Sequence, residues 1–118
     1  MENHKLVHPE HLNHYGFLFG GNLLKWVDEY AWIAASMEYP GCSFVTIGMD
    51  RVEFRKSVKE GTILTFIAEK TREGTTSVQY HVNVFRGNMR EKQNEIIFST
   101  RVTLVNVDRE GRKTPLAK

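Results

Sequence analysis

One carboxylate, Asp28, lies within the apolar stripe of a predicted helix. It follows Leu24 by four residues and precedes Ala31 by three, and this spacing places the three side chains on one helix face. A carboxylate among apolar side chains costs free energy unless it is hydrogen-bonded or close to water. Two interpretations stay open. Asp28 is either a residue at the border of the stripe, satisfied by a backbone amide or an arginine, or a general base or nucleophile whose reactivity is tuned by partial burial.

The segment before this helix contains a second group of candidate residues. It covers residues 11–21 and ends in the pair Gly20-Gly21, directly at the predicted helix N-terminus. Backbone N–H groups at a helix start have no partner within the helix, and glycines allow a close approach, so these groups could hold an oxyanion or a carbonyl oxygen. Neither GxGxxG nor a terminal Gly-Lys-Ser/Thr is present, which argues against the usual phosphate loop. A tight entry turn without a ligand is the alternative.

A third group combines basic side chains with hydroxyls. Arg51, Arg55, Lys56 and Lys59 accompany the end of the first long strand, and Thr75-Thr76-Ser77 occupies a later turn. Together such groups can hold phosphates. A charged strand rim that serves only solubility is the alternative.

Four histidines near the N-terminus, His4, His8, His11 and His14, are spaced like a metal cluster. Their segment contains Pro9 and shows no helical pattern, and zinc sites normally also place a carboxylate or thiolate with the histidines. We therefore expect no metal and interpret these residues as solvated or hydrogen-bonding histidines.

Length and composition limit the class of protein. The chain has 118 residues, 41% hydrophobic and 25% charged, so we expect residues 1–118 to form a single domain. The net charge is only +2 and the basic residues are dispersed, which argues against a nucleic-acid partner. Cys42 is the only cysteine, so no intrachain disulfide is expected and a cytoplasmic location is favoured. No apolar run approaches the ~20 residues of a membrane span, and the polar N-terminus has no signal core, so we expect neither export nor a membrane partner.

Glycine and proline divide the chain into one helical and four strand-like stretches. Between residues 22 and 39 apolar side chains recur at every third or fourth position, and Pro40-Gly41 ends this helix. Its buried side is rich in alanine, which lets a helix lie close to a sheet. Strands are predicted over residues 43–54, 62–71, 76–86 and 95–107, and residues 5–12 are a candidate for a further short strand.

The order of these elements indicates the fold class. The alternation in residues 43–54 changes phase near Asp50-Arg51, which predicts a bulge there. Residues 72–75 predict a tight hairpin, and residues 87–94 an exposed loop. A short strand, a helix and four long antiparallel strands are typical of an α+β domain with the helix packed on one sheet face. The opposite face needs a cover, for which an identical subunit is the simplest source, so we expect a homo-oligomer.

One longer motif unites the candidate residues. It reads Asn13-x-x-Gly16-x-x-Phe19-Gly20-Gly21-x-Leu23-Leu24-x-Trp26-x-Asp28, with Ala31 following. In this motif the chain resembles the acyl-CoA thioesterases of the hot-dog fold. The similarity extends over residues 7–107 and includes Val45-Thr46, Arg51-Val52-Glu53-Phe54, Val58-x-x-Gly61 and Thr76-Ser77-Val78.

The resemblance implies a fold, an assembly and a reaction. The fold is a long central helix wrapped by a curved antiparallel β-sheet. Two protomers join their sheets and share active sites at the interface, and further assembly is often a trimer of dimers. The reaction is hydrolysis of an acyl-CoA thioester to free acid and coenzyme A. We expect no separate cofactor, because coenzyme A is part of the substrate.

The resemblance also implies roles for the candidate residues. Asp28 would activate water or attack the thioester carbonyl, and Asn13 of the partner subunit would orient the substrate or the water. Gly20 and Gly21 would present backbone N–H groups, and Thr46 would lie near the carboxylate. We assign the phosphates of coenzyme A to four residues, namely Arg55, Lys56, Thr76 and Ser77. Developing charge on a thioester oxygen suits donors at a positive helix end, and a thiolate leaves without strong acid catalysis.

Two alternatives with the same fold stay open. One is a catalytically silent module that binds acyl-CoA, which would be expected to lack the carboxylate or to carry a DNA-binding extension. The other is a dehydratase acting on a hydroxyacyl thioester, in which His11 or His14 would be the base beside an acidic residue. The pattern from Asn13 to Asp28 fits hydrolysis better than either alternative.

Overall fold

The structure, a computed structural model, describes residues 1–87 and 95–117 of the chain. These residues contain one α-helix and one antiparallel sheet of five strands. The helix α1 spans Gly20–Glu38, and the strands are β1 Glu2–Leu6, β2 Phe44–Phe54, β3 Ile63–Glu73, β4 Ser77–Arg86 and β5 Glu95–Asn106. The predicted α+β class, with a helix against one sheet face, is confirmed.

The helix buries a stripe of small and aliphatic side chains. Leu23, Val27, Ala31 and Ala35 recur at every fourth position and are all buried. Alanine adds only a methyl group, so the helix axis can lie close to the sheet. Pro40 ends the helix, because the residue before a proline is kept out of the α region, and that residue has φ −126° and ψ 72°.

The sheet has the strand order β1-β3-β4-β5-β2, so β4 lies at its centre and β2 at one edge. Alternate residues of β4 are buried, which marks the face that packs on the helix. On this face Val84 lies between Phe66 of β3 and Phe98 of β5, and all three side chains are fully inaccessible to solvent. These side chains form the centre of the core, and their regular alternation is the reason the sequence predicts these strands well.

Strand β2 is irregular. Its register against β5 shifts between Thr46 and Gly48 and again between Asp50 and Glu53. The second shift is the predicted bulge, whereas the first is not visible in the hydrophobic pattern. At the bulge Arg51 has φ 52°, in the left-handed region that residues other than glycine rarely adopt. The edge strand is therefore bent where its central side chains change face.

Two predicted boundaries are wrong. The N-terminal strand spans Glu2–Leu6 rather than lying within residues 5–12, because Pro9–His11 forms a 3₁₀ turn whose proline has no N–H for a ladder. The helix begins at Gly20 rather than Asn22, since both preceding glycines already have helical geometry.

The connection between β3 and β4 is the tight hairpin that the sequence predicts. Gly74 N–H donates to the carbonyl oxygen of Ser77 at 2.8 Å and closes the turn. The loop predicted over residues 87–94 lies, after Gly87, outside the described residues.

A polar cluster holds the C-terminal end of α1 to the sheet. Lys70 Nζ donates to Glu38 at 2.6 Å, and the Tyr80 hydroxyl donates to the same carboxylate at 2.5 Å. The bond from Lys70, and then that from Tyr80, holds the pKa of Glu38 below its ordinary value. Burial, reinforced by Glu38, raises the pKa of Tyr80. The cluster therefore favours the charged carboxylate and the neutral phenol.

We expect this cluster to make stability depend on acid pH. The pKa of Glu38 is lower in the folded chain than in the unfolded chain, so its contribution is present above about pH 4.5 and is lost as the pH falls toward the folded pKa. Glu38→Gln should lower the melting temperature at neutral pH by a few degrees, because an exposed ion pair contributes about 1 kcal/mol or less.

Thermal unfolding between about pH 3 and pH 7 tests this. The difference between wild type and Glu38→Gln should shrink below about pH 4.5. Glu69→Gln, which changes an exposed acid on the same strand as Lys70, is the control and should show no such trend. A difference that stays constant across this pH range would contradict the role of the cluster.

Candidate active site

Asp28 meets Thr46 where α1 passes the edge strand β2. The Thr46 hydroxyl donates a hydrogen bond to Oδ1 of Asp28 at 2.5 Å. Both residues are half-buried, while Val27 and Ala31 beside them on the helix are fully inaccessible. Asp28 thus lies at the border of the apolar stripe, and its partner is a hydroxyl rather than a backbone amide or an arginine. An ionised carboxylate has several acceptor positions, so one donor leaves others for water or substrate.

Asn13 organises the loop that precedes the helix. Its side-chain oxygen accepts the backbone N–H groups of Tyr15 at 2.9 Å and Phe17 at 3.2 Å. This Asx-type turn is supported by Gly16, whose φ of 84° suits a glycine. The amide nitrogen of Asn13 has no hydrogen-bond partner within residues 1–87 and 95–117. It remains available as a donor to a bound molecule.

Backbone contacts fix this loop on both sides. Leu18 N–H donates to the carbonyl oxygen of Val58 at 2.7 Å, which ties the loop to the connection after β2. Phe19 N–H and the Asn22 side chain donate to the carbonyl oxygen of His11 at 2.9 and 3.0 Å. The position of Asn13 relative to the helix start is therefore set by several hydrogen bonds.

The first turn of α1 presents free N–H groups. Its capping residue, Phe19, makes no side-chain cap, and the turn contains no acidic residue. The N–H groups of Gly20 and Gly21 have no acceptor among the described residues. A Cβ at Gly20 would lie 3.2 Å from the ring of Phe54, so glycine lets this aromatic side chain pack at the helix start. Free donors at the positive end of a helix can receive an anionic or carbonyl oxygen.

A groove of about 640 Å³ joins several of these parts. Its lining includes Asn13, Gly20, Arg55 and Lys56, so the predicted orienting amide, one predicted N–H donor and two predicted phosphate-binding residues share one cavity. Phe54 also lines it and is 55% exposed. Sequence reasoning treated Phe54 only as a strand residue. The signal that could have identified it is the pair of glycines, which leaves room for an aromatic ring at the helix start.

The carboxylate is not in this groove within one chain. Asp28 follows Gly20 by eight residues along α1, which corresponds to about 12 Å along the helix axis. Thr46 likewise precedes Phe54 by eight residues along β2. Asp28 and Thr46 therefore lie near the start of β2, whereas Gly20 and Phe54 lie near its end.

The hydroxyl residues of the predicted phosphate site lie at the other end of the sheet. Ser77 begins β4 at the level where β2 begins, whereas Arg55 and Lys56 follow the last residue of β2. About seven residues of strand, or ~23 Å, separate the two levels. A single chain therefore does not bring Thr76 and Ser77 together with the basic pair.

The N-terminal histidines make ordinary contacts. His4 lies 3.1 Å from the hydroxyl of Thr65, and the His11 ring packs edge-on against Trp26 at 4.8 Å. Among the described residues, no group of three His, Cys, Asp or Glu side chains is arranged to hold a metal ion. The same residues include no helix that is long and apolar enough to cross a membrane.

Comparison with known families and proteins decides the family. The model of the thioesterase superfamily matches residues 15–93, more than half of the chain. The chain belongs to the thioesterase superfamily. It is 28% identical over 112 residues to the uncharacterized acyl-CoA thioester hydrolase YkhA of Bacillus subtilis, and the match covers 95% of this chain and 64% of that protein. The chain thus spans less than two thirds of the length of this thioesterase relative.

Solved structures confirm the fold. An acyl-CoA hydrolase from Staphylococcus aureus, in complex with butyryl coenzyme A and coenzyme A, superimposes with a TM-score of 0.87 at 30% identity, over 99% of this chain and 71% of that one. A hexameric hotdog fold thioesterase of Campylobacter jejuni superimposes with a TM-score of 0.85 at 30% identity, over 98% and 88%. The hot-dog fold and the resemblance to acyl-CoA thioesterases are confirmed.

We expect the Thr46–Asp28 bond to stabilise the fold of this chain. Thr46→Val removes the donor from a half-buried carboxylate, which should cost about 1–2 kcal/mol in the free energy of unfolding near neutral pH, whereas Thr46→Ser keeps the hydroxyl. Urea unfolding of Thr46→Val, Asp28→Ala and the double variant gives the coupling energy of the pair. A coupling energy near zero would show that the bond does not contribute.

Proposed function

We propose that the chain hydrolyses acyl-CoA thioesters to a free acid and coenzyme A. One observation carries the proposal: the half-buried carboxylate of Asp28, held at 2.5 Å by the Thr46 hydroxyl, on the central helix of a thioesterase-superfamily chain. A carboxylate oriented in this way can serve as a general base or as a nucleophile.

The relative from Staphylococcus aureus supports these residue assignments. Its acyl-CoA hydrolase has been solved as three variants, in which one Asn, one Asp or one Thr is replaced by Ala. The substituted Asn and Asp are fifteen positions apart, the same separation as between Asn13 and Asp28. The Thr follows the Asp by seventeen positions, compared with eighteen between Asp28 and Thr46.

The proposed chemistry has two forms. As a base, Asp28 takes a proton from water while the water oxygen attacks the thioester carbon. As a nucleophile, Asp28 attacks that carbon itself, and water then cleaves the resulting anhydride. In both forms the C–S bond breaks, the sulfur leaves as the thiolate of coenzyme A, and negative charge develops on the carbonyl oxygen. The N–H groups of Gly20 and Gly21 would stabilise that charge.

The separated parts of the site come together if two copies pair along β2. This strand is a sheet edge with exposed apolar side chains, which an antiparallel partner strand would cover. In a two-fold pair centred near residue 50, Thr46 of one copy lies opposite Phe54 of the other. Asp28 then faces Asn13 and the helix start of the partner subunit, and each pair of copies has two such sites.

The same pairing supports the proposed coenzyme A site. It brings Arg55 and Lys56 of the partner subunit to the end of the joint sheet where Thr76 and Ser77 lie. We assign the substrate phosphates to these four residues.

The remaining part of the proposal concerns the domain and its assembly. Residues 1–118 form one hot-dog domain, and three of the dimers associate, as the hexameric relative from Campylobacter jejuni suggests.

Replacement of the carboxylate tests the reaction. Asp28→Asn keeps the size of the side chain but removes the base or nucleophile, so kcat should fall at least about a hundredfold while the fold is kept. Thiol release from acyl-CoAs of graded chain length measures this, with Glu29→Gln on the exposed side of α1 as the matched control. Near wild-type activity of Asp28→Asn would remove Asp28 from the mechanism. A wild type that binds coenzyme A but releases no thiol would instead be the silent module.

Mixed dimers test the shared site. Asn13→Ala and Asp28→Asn chains are each expected to be inactive as homodimers. After unfolding and refolding together, half of the dimers are mixed, and each mixed dimer has one intact site, so about a quarter of wild-type activity should return. Verified mixed dimers that recover no activity would place both residues in a site formed by a single chain.

A further inference from the structure

We propose that the sheet face opposite α1 carries a binding site for a phosphate-bearing anion, formed around Arg51, Arg72 and Arg101. A cleft of about 570 Å³ opens on this face and is lined by these arginines, which come from β2, β3 and β5. Arg55 also lines it and lies between this cleft and the groove that contains Asn13. No step of the proposed hydrolysis uses Arg51, Arg72 or Arg101.

The cleft has an excess of positive charge. Arg101 is paired with Asp50 at 2.6 Å, and Arg55 with Glu53 at 3.4 Å. Arg51 and Arg72 have no carboxylate within ion-pair distance among the residues that the structure describes. Two unpaired guanidinium groups match the charge of one phosphate group. Each guanidinium is planar and can donate two parallel hydrogen bonds to phosphate oxygens.

Two local features indicate that the cleft is built for a ligand. Arg51 is the residue with φ 52° at the bulge of β2, a conformation that costs on the order of 1–3 kcal/mol and re-aims its side chain. In Arg101, Nε is buried and has no hydrogen-bond partner among the described residues, although its Nη2 holds Asp50. A buried donor without an acceptor is costly, and an anion oxygen would supply the acceptor.

Two further hydrogen-bonding side chains complete the cleft. Ser99 of β5 and His81 of β4 lie side by side in its lining, with Oγ and Nε2 at 2.9 Å. Both side chains can form hydrogen bonds with phosphate oxygens. The cleft is concave, and the basic residues of the rest of the chain are dispersed. Both features favour a small phosphorylated molecule other than the substrate, whose phosphates the proposed hydrolysis assigns to other residues.

Binding of inorganic pyrophosphate tests the site directly. We expect saturable binding to the wild-type chain by calorimetry at low ionic strength. Arg51→Gln and Arg72→Gln should each raise the Kd for pyrophosphate at least about tenfold, as expected for a lost charge-assisted hydrogen bond. Arg109→Gln, an exposed change outside the cleft, should leave the Kd unchanged. The proposal is overturned if the wild type does not bind pyrophosphate, or if Arg109→Gln weakens binding as much as the cleft variants.

A kinetic comparison then tests whether the ligand of the cleft is distinct from coenzyme A, and this step alone rests on the proposed hydrolysis. If the cleft holds coenzyme A, Arg72→Gln should raise the KM for acyl-CoA but not for the acyl thioester of pantetheine, which has no phosphate. If it holds a separate ligand, neither KM should change while pyrophosphate binding is lost. Pyrophosphate binding needs no turnover, so its failure is distinct from a failure of the hydrolase proposal.

Discussion

The close packing of α1 on the sheet is the constraint on which the rest of the structure depends. Ala31, Ala34 and Ala35 present only methyl groups to a sheet face filled by large aliphatic and aromatic side chains. The helix can therefore lie near the strands, and Asp28 comes within hydrogen-bond distance of Thr46 on the edge strand. A larger residue at these alanine positions would lift the helix and separate the carboxylate from its donor. The small alanine side chains therefore account both for the close packing of α1 on the sheet and for the hydrogen bond between Asp28 and Thr46.

Strand β2 serves both faces of the sheet, which explains why it is the least regular strand. Its Thr46 faces the helix and holds the carboxylate, while Asp50 faces the opposite side and pairs with Arg101. An unbroken strand keeps alternate residues on fixed faces, so a change of phase requires an extra residue. The register shift between Thr46 and Gly48 supplies it, and the bulge at Arg51, which has an unfavourable φ, changes the phase a second time before Phe54. The irregularity of β2 is therefore tied to the placement of chemical groups, whereas buried and half-buried residues alternate regularly along most of the central strand β4.

The sequence predicts well those features that local periodicity encodes. Helical spacing identified α1 and the unusual position of Asp28, and alternation identified β4 and the bulge near Asp50. The short strand β1 was misplaced because its alternate burial comes from pairing with β3, and its residues Glu2–Leu6 are mostly polar. The contact between Gly20 and Phe54 and the ~23 Å between Ser77 and the end of β2 depend on how distant segments meet, which no local pattern records.

The division of the candidate site along β2 links chemistry to assembly. One copy has its carboxylate near one end of the strand and the N–H groups of its helix start near the other, so a lone chain contains both halves of the proposed site without bringing them together. An antiparallel two-fold pairing is the simplest operation that exchanges the two ends of a strand, and it would complete two of the proposed sites at once. The exposed apolar side chains of this edge, such as Ile47 and Phe54, are costly in a monomer and would be covered by the same pairing. In the proposed dimer, the free energy that drives association therefore also assembles the catalytic groups.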